Sequence, residues 1–124
     1  MKPFLILIDG PMGAGKSTVA NLLHKKLKRT ALVALDRIKH LVSDYKRESS
    51  RDLSLASSVG IAMTKEYLEN GINVIVEKAF TKEEFLRPFI RLSKNRANLF
   101  VYQVEAPLEV RLKRVKSRPI PEDA

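Results

Sequence analysis

The 124-residue chain contains no cysteine, and this absence removes several kinds of chemistry at once. Without a thiol, the chain forms no disulfide, binds no metal through thiolates and uses no cysteine nucleophile. Such a composition fits a reducing compartment, and we predict a cytoplasmic protein. Apolar runs long enough for a membrane span or a signal-peptide core are also missing, because Asp9 and Gly10 interrupt the first run. We therefore expect no membrane partner.

Internal repeats, low-complexity tracts and linkers are absent too, so the length predicts a single domain over residues 1–124. Histidine is scarce: His24 and His40 lie among lysines without an acid or serine at useful spacing, and we interpret both as surface residues. Acidic residues are outnumbered, with 14 Asp+Glu against 23 Lys+Arg. This excess favours polyanionic partners such as nucleotides, phosphosugars or nucleic acid, and a solvated basic surface is the alternative.

Four short apolar runs divide the chain, and each is of strand length. They cover residues 4–8, 31–35, 72–76 and 99–104. Their apolarity is continuous rather than alternating, which is typical of strands buried on both faces of a parallel sheet. With helical segments between the runs, the order predicts a three-layer α/β fold with right-handed crossovers.

Helical periodicity fills the intervals between the runs. The segment 52–69 carries large apolar side chains every four residues, which predicts the face that packs on the core: Leu55, Val59, Met63 and Tyr67. Residues 36–51 are less regular and indicate only a short helix.

Two later helices carry terminal signals. Thr81 and Glu84 match a capping box, and Pro88 predicts either a kink or a new helix start. The last helix is predicted over residues 106–118, with a proline at its first position, and Pro119 forbids its continuation.

Between the first strand and the first helix lies a glycine-rich segment with the spacing of a phosphate-binding loop. It reads Gly10-Pro11-Met12-Gly13-Ala14-Gly15-Lys16-Ser17 and is followed by Thr18. The glycines let backbone N–H groups approach phosphate oxygens, and the positive end of the helix points at the same place. We predict that residues 10–18 bind the phosphates of a nucleoside triphosphate, with Lys16 on the β- and γ-phosphates and Ser17 on Mg²⁺. A plain glycine-rich turn is the alternative.

An acidic residue follows each of the second and third strands, Asp36 and Glu77. Because the carboxyl ends of parallel strands meet at one edge of a sheet, both acids should lie beside the phosphate loop. Asp36 is placed to accept a proton from a hydroxyl substrate, or to position Mg²⁺ through water, and the alternative is a helix cap. Glu77 is placed to join the magnesium shell, and the alternative is a solvated acid paired with Lys78.

Three arginines share one face of the last predicted helix, beside an apolar stripe. Arg111, Arg114 and Arg118 follow one another at helical spacing. Guanidinium groups suit the clamping of phosphates and the stabilisation of charge during phosphoryl transfer. We predict a catalytic role for Arg114 and Arg118 above all, and an exposed basic helix end is the alternative.

Together, the phosphate loop, the two strand-end acids and the arginine helix resemble the small P-loop kinases built like adenylate kinase. The pattern is similar to the AAA-type ATP-binding kinases that include zeta-toxin-like, antibiotic and polynucleotide kinases. This resemblance implies a sheet of order 2-3-1-4-5, binding of ATP with Mg²⁺, and transfer of the γ-phosphoryl group to a hydroxyl or phosphate acceptor. It also implies that the helix with Arg114 and Arg118 begins the kinase lid.

Such kinases continue past the lid into a fifth strand and a final helix, whereas the printed sequence ends at Ala124. We therefore expect a C-terminally short domain with sheet order 2-3-1-4, in which the edge of the strand at 99–104 is open to a homodimer. The leading hypothesis is an ATP-dependent kinase of a small molecule or nucleotide. The alternatives are a polynucleotide 5′-hydroxyl kinase, with nucleic acid as partner, and a non-catalytic nucleotide-binding module.

Overall fold

Four parallel strands form the sheet in the computed structural model, which describes residues 1–11, 15–78 and 83–105. In chain order they are β1 (Phe4–Asp9), β2 (Thr30–Ala34), β3 (Asn73–Glu77) and β4 (Asn98–Gln103). Their order across the sheet is β2-β3-β1-β4, and each neighbouring pair is parallel. The predicted parallel sheet of order 2-3-1-4 is confirmed. Residues 106–124, where the predicted last helix falls, lie outside the described ranges.

Both faces of the central strands are covered, which explains their continuous apolarity. On one face, Leu5 and Leu7 of β1 are fully buried against residues of the helices after β2 and β3. On the other face, Ile6 and Ile8 pack with Ala20 of the helix after the glycine-rich segment. The sheet is therefore the middle layer of three, as the hydrophobic runs predict.

Four helices flank the sheet: α1 (Lys16–Lys26), α2 (Leu35–Lys39), α3 (Ser50–Glu69) and α4 (Glu83–Ser93). α3 begins where the Ser49 side chain accepts a hydrogen bond from the Asp52 N–H at 3.2 Å. α4 runs through Pro88 without a new start, so the predicted restart there is wrong. Pro88 lacks only the N–H that would donate to the carbonyl of Glu84, and the rest of the helix is retained. Thr81 of the predicted capping box lies outside the described residues. No helix in the described ranges is long and apolar enough to cross a membrane.

The face of α3 that packs on the core is not the predicted one. Its buried residues are Ala56, Gly60, Thr64 and Leu68. The predicted stripe is turned outward instead: Leu55 is 53% exposed, Val59 36% and Tyr67 38%. Small residues win the inner face because they let the α3 backbone approach α2, while Thr64 satisfies its own hydroxyl by donating to the Gly60 carbonyl at 2.8 Å.

Gly60 sits at the closest approach of α3 to α2. A Cβ at this position would lie 2.9 Å from Cδ1 of Leu35 and 3.5 Å from Cδ1 of Ile38, and both leucine and isoleucine are buried. We expect Gly60→Val to lower the free energy of unfolding by about 1–3 kcal/mol, because its γ-carbons overpack this contact. Denaturant unfolding measures the effect. Ala62→Val, on the exposed face of the same helix, controls for β-branching, and equal losses in both variants would contradict the packing argument.

Candidate functional site

The glycine-rich segment joins the end of β1 to the start of α1. Gly10 is buried, and its N–H donates to the Asp9 carboxylate at 2.7 Å, while Pro11 is half-buried. Gly15 adopts a left-handed backbone with φ of 94°, which residues bearing a side chain rarely adopt. Its carbonyl accepts a hydrogen bond from the Val19 N–H at 3.1 Å. The chain therefore turns sharply at Gly15 and enters α1 at Lys16.

The N-terminus of α1 is suited to an anion. No side chain caps the helix at Gly15, and its first turn contains no acidic residue. The basic residues of the helix lie at its other end, in the last turn. Uncapped N–H groups and the helix dipole together favour negative charge at this end, where Lys16, Ser17 and Thr18 are the first three residues.

Lys16, Ser17 and Glu77 converge at this edge of the sheet. The Ser17 hydroxyl donates to Oε1 of Glu77 at 3.2 Å, and Nζ of Lys16 lies 3.9 Å from the same oxygen. Glu77, the last residue of β3, is only 6% exposed. The alternative of a solvated acid paired with Lys78 is therefore wrong, because Glu77 is buried and faces Lys16 and Ser17.

The setting of Glu77 favours its protonated form. Burial raises the pKa of the Glu77 carboxyl, and the nearby Asp36 raises it further. The ammonium of Lys16 and the hydrogen bond from Ser17 lower the pKa of the same group, but they do not outweigh the loss of solvent. A second positive charge near this carboxylate would therefore stabilise its ionised form.

Asp36 lies at the same edge, in the first turn of α2. The helix is capped at Ala34, so the alternative in which Asp36 is the cap residue is wrong. Its carboxylate accepts a hydrogen bond from Nζ of Lys39 at 3.1 Å, and the side chain is 59% exposed. Asp36 is close enough to Glu77 to influence its pKa. An exposed carboxylate is thus available beside the phosphate loop.

Lys78 belongs to this edge as well, although the sequence analysis considered it only as a partner for Glu77. Its Nζ lies 3.3 Å from Oγ of Ser57 on α3 and 4.8 Å from the centroid of the Phe85 ring on α4. Burial lowers the pKa of Lys78, the ammonium of Lys39 lowers it further, and Asp36 acts in the opposite direction. The sequence signal was its position directly after a strand that ends in a site residue.

An apolar cavity of about 210 Å³ opens between the C-terminal end of α2, the following loop and α3. The exposed Leu55 and Val59 line it, together with Leu41 and Val42. Lys39 also lines it and connects it to Asp36. The outward stripe of α3 therefore forms one wall of a cavity that is adjacent to the phosphate loop edge.

Several predicted site residues lie outside the described ranges, namely Met12, Gly13, Ala14, Arg111, Arg114 and Arg118. Their predicted roles remain predictions. Within the described ranges, no group of three or more His, Asp or Glu side chains is arranged to hold a metal ion. Any ion at this edge would have few protein ligands, as Mg²⁺ commonly has when phosphates supply the others.

Sequence comparison relates the chain to known kinases. A model of the AAA domain family matches residues 5–124. A probable adenylyl-sulfate kinase of Archaeoglobus fulgidus is 32% identical over 116 residues, covering 90% of this chain and 72% of the relative. A cytidylate kinase of Sulfolobus acidocaldarius is 32% identical over 120 residues, covering 91% of this chain and 60% of the relative. The chain thus spans part of the length of these relatives.

Solved structures share the fold. A chain of the Pnkp1/Rnl/Hen1 RNA repair complex superposes with a TM-score of 0.84 at 21% identity, covering 94% of this chain and 38% of that chain. The Mycobacterium tuberculosis APS kinase CysC, solved with AMPPNP and APS, superposes with a TM-score of 0.72 at 20% identity, covering 94% and 70%. The family match and the sequence relatives confirm the predicted resemblance, and the chain belongs to the AAA domain family as one of its P-loop kinases.

Proposed function

We propose that the protein transfers the γ-phosphoryl group of ATP to a small-molecule or nucleotide acceptor. The convergence of Lys16, Ser17 and Glu77 at the uncapped N-terminus of α1 carries this proposal. Phosphoryl transfer needs little covalent chemistry from a protein, and it depends mainly on positioning and on charge stabilisation. An ammonium, a hydroxyl and a carboxylate around a phosphate-binding helix end supply these two requirements.

Each of the three residues has a distinct task. Lys16 binds the β- and γ-phosphates, which requires its ammonium to exchange the 3.9 Å contact with Glu77 for phosphate oxygens. The Ser17 hydroxyl and the Glu77 carboxylate offer the oxygen ligands that Mg²⁺ prefers, and their 3.2 Å separation fits a shared ion shell. Mg²⁺, when bound with ATP, neutralises charge on the phosphates.

Asp36 is proposed to take the proton from the acceptor hydroxyl or to orient the acceptor. We expect Asp36→Asn to lower kcat about 100-fold or more, because general-base catalysis contributes about 10²–10⁴-fold, while the KM for ATP stays unchanged. Steady-state kinetics measure both constants. Asp44→Asn is the matched control, since Asp44 has a φ of 58° that asparagine tolerates. An Asp36→Asn enzyme with wild-type kcat would exclude the proposed role.

The acceptor is tested directly with a panel of candidate compounds. The purified protein is incubated with γ-labelled ATP, Mg²⁺ and, in separate reactions, nucleoside monophosphates, adenylyl sulfate, nucleosides and sugars. The sequence relatives are named as adenylyl-sulfate and cytidylate kinases, which supports acceptors of these two classes. Label on an acceptor supports the proposal. ATP binding without transfer to any compound would favour a non-catalytic module.

A second candidate is a kinase of polynucleotide 5′-hydroxyl ends, favoured by the net charge of +9. An oligonucleotide with a 5′-hydroxyl therefore belongs in the same panel. If the basic surface binds the nucleic-acid backbone, oligonucleotide affinity falls steeply with added salt. Affinity that is negligible at low salt would exclude this candidate.

The open edge of β4 supports a homodimer. In the described ranges β4 pairs only with β1, and its exposed residues include Phe100, Val101 and Tyr102. An exposed apolar edge strand favours pairing with another chain. Sedimentation of the purified protein across a concentration series distinguishes monomer from dimer. We also propose the cytoplasm as its location, where ATP is supplied.

A further inference from the structure

The backbone of Lys78 is fixed next to the phosphate loop. Its N–H donates to the carbonyl of Ile8 at 3.1 Å, and Ile8 precedes Gly10 by only two residues. This hydrogen bond extends the pairing of β3 with β1 by one residue beyond Glu77. The Lys78 side chain therefore begins at the strand edge where the transferred group has to lie.

The side chain of Lys78 is half-buried between two helices, and the partners that hold it there are neutral. Nζ lies 3.3 Å from the Ser57 hydroxyl oxygen on α3 and 4.8 Å from the Phe85 ring centroid on α4. A hydroxyl oxygen and an aromatic face attract an ammonium, but they leave its charge in place. Withdrawal of a charge from water is costly unless the charge meets a counter-charge.

Charge at this edge is unbalanced in favour of cations. The ammonium groups are those of Lys16, Lys39 and Lys78, and the carboxylates are those of Glu77 and Asp36. Glu77 lies 3.9 Å from Lys16, and Asp36 lies 3.1 Å from Lys39. The two carboxylates therefore already have close cationic neighbours, and the three ammonium groups leave a net positive charge beside the phosphate loop.

We propose that Lys78 is a specificity-determining residue that binds an oxyanion group of the acceptor. This inference rests on the proposed function and narrows it: the acceptor carries a phosphate, sulfate or carboxylate, and a neutral polyol is disfavoured. The Phe85 ring and the Ser57 hydroxyl keep the ammonium in place before the acceptor arrives. Pre-organisation of this kind increases affinity because less conformational freedom is lost on binding.

The apolar cavity specifies the remainder of the acceptor. Ser57, which contacts Lys78, follows Ala56, which lines the cavity, and Lys39 borders the cavity on its α2 side. An oxyanion on Lys78 therefore places the rest of the molecule toward Leu55 and Val59. At about 210 Å³ the cavity is smaller than the roughly 300–1,000 Å³ of drug-sized sites, which suits one apolar or aromatic ring system.

Calorimetric binding to two matched probes tests the inference. Cytidine monophosphate and cytidine share a ring and differ in the oxyanion, and saturating AMPPNP with Mg²⁺ keeps the phosphate loop filled. We expect Lys78→Met to weaken cytidine monophosphate about tenfold or more and to leave cytidine binding unchanged, because the charge-assisted contact is lost. Lys78→Arg should restore part of the affinity. Lys94→Met, at an exposed position after α4, should change neither.

Three results would overturn the inference. Equal weakening of both probes would make Lys78 a structural tie between α3 and α4. Unchanged binding of both would remove Lys78 from the acceptor site. Failure of the wild-type protein to bind either cytidine monophosphate or inorganic phosphate under these conditions would exclude an oxyanion site. The proposed function is judged separately, from phosphoryl transfer with the acceptor panel, so its failure is distinguishable from a failure at Lys78.

Discussion

Lys16→Met is expected to abolish phosphoryl transfer to every acceptor, with kcat reduced about 10³-fold or more. Methionine keeps much of the length of lysine but removes the ammonium that lies at the N-terminal end of α1, near Glu77. Loss of a single preorganised donor to developing charge costs about 10²–10³-fold in enzymes, and Lys16 provides a full charge as well. The measurement is steady-state transfer from γ-labelled ATP, with ATP affinity determined separately by calorimetry.

The matched control for this variant lies on the same helix. Lys26→Met changes the last residue of α1, which is exposed and far from the phosphate loop, and it should keep wild-type kcat. A Lys16→Met protein with full transfer activity would refute the kinase assignment of this site. Transfer or ATP hydrolysis by the wild-type protein well above the Lys16→Met background would exclude the non-catalytic module.

Glu77→Gln is expected to have two opposite effects, a loss of activity and a gain of stability. Glutamine cannot supply the charged oxygen proposed for the magnesium shell, so we expect kcat to fall about 10²-fold or more. Glutamine also removes the cost of holding an ionised carboxylate in a buried position. We expect the free energy of unfolding at neutral pH to rise by on the order of 1 kcal/mol, measured without Mg²⁺ or ATP.

The stability effect of Glu77→Gln depends on pH in a definite direction. Because burial raises the pKa of Glu77 in the folded protein, the folded state binds the proton more tightly than the unfolded state. The wild-type protein therefore loses stability as pH rises from the ordinary carboxyl pKa through the raised one. The difference between Glu77→Gln and wild type should be small in acid, should grow across that window and should then level off.

Thermal unfolding from acidic to neutral pH measures this profile. Glu69→Gln is the control, because Glu69 is exposed and its ion pairs with Lys65 and Arg96 span 3.8 and 3.9 Å. Surface pairs of this kind contribute about 0–1 kcal/mol, and no shared pH window is expected. A Glu77→Gln protein that is less stable than wild type at neutral pH would show that the contacts with Lys16 and Ser17 outweigh the burial of Glu77.

The strands and the phosphate loop edge were predictable because the signals that encode them are local. Continuous apolar runs predicted β1 and β3 as buried strands, and the order of runs and helices predicted parallel pairing. Leu35 was assigned to the second strand, whereas it begins α2. The positions of Asp36 and Glu77 at one edge followed from the rule that carboxyl ends of parallel strands meet there.

The inner face of α3 and the setting of Lys78 depend on distances between elements, which periodicity does not encode. Leu55 and Val59 have the pattern of a core stripe, but the close approach of α2 requires Gly60 at the contact. The partners of Lys78 come from two helices that are distant in sequence, Ser57 before it and Phe85 after it. No local pattern around Lys78 announces a hydroxyl and a ring at these distances.

The central place of β1 also determines when the sheet can assemble during synthesis. β1 is the first strand made, yet its two neighbours are the last two, and the hydrogen bond from the Phe4 N–H to the Asn73 side chain spans 69 residues. At about 5–20 residues per second, a ribosome needs roughly 3–14 s to supply that partner. Until then the apolar strand has no sheet to join, so the nascent chain depends on chaperones, and its folding is slow because its contact order is high.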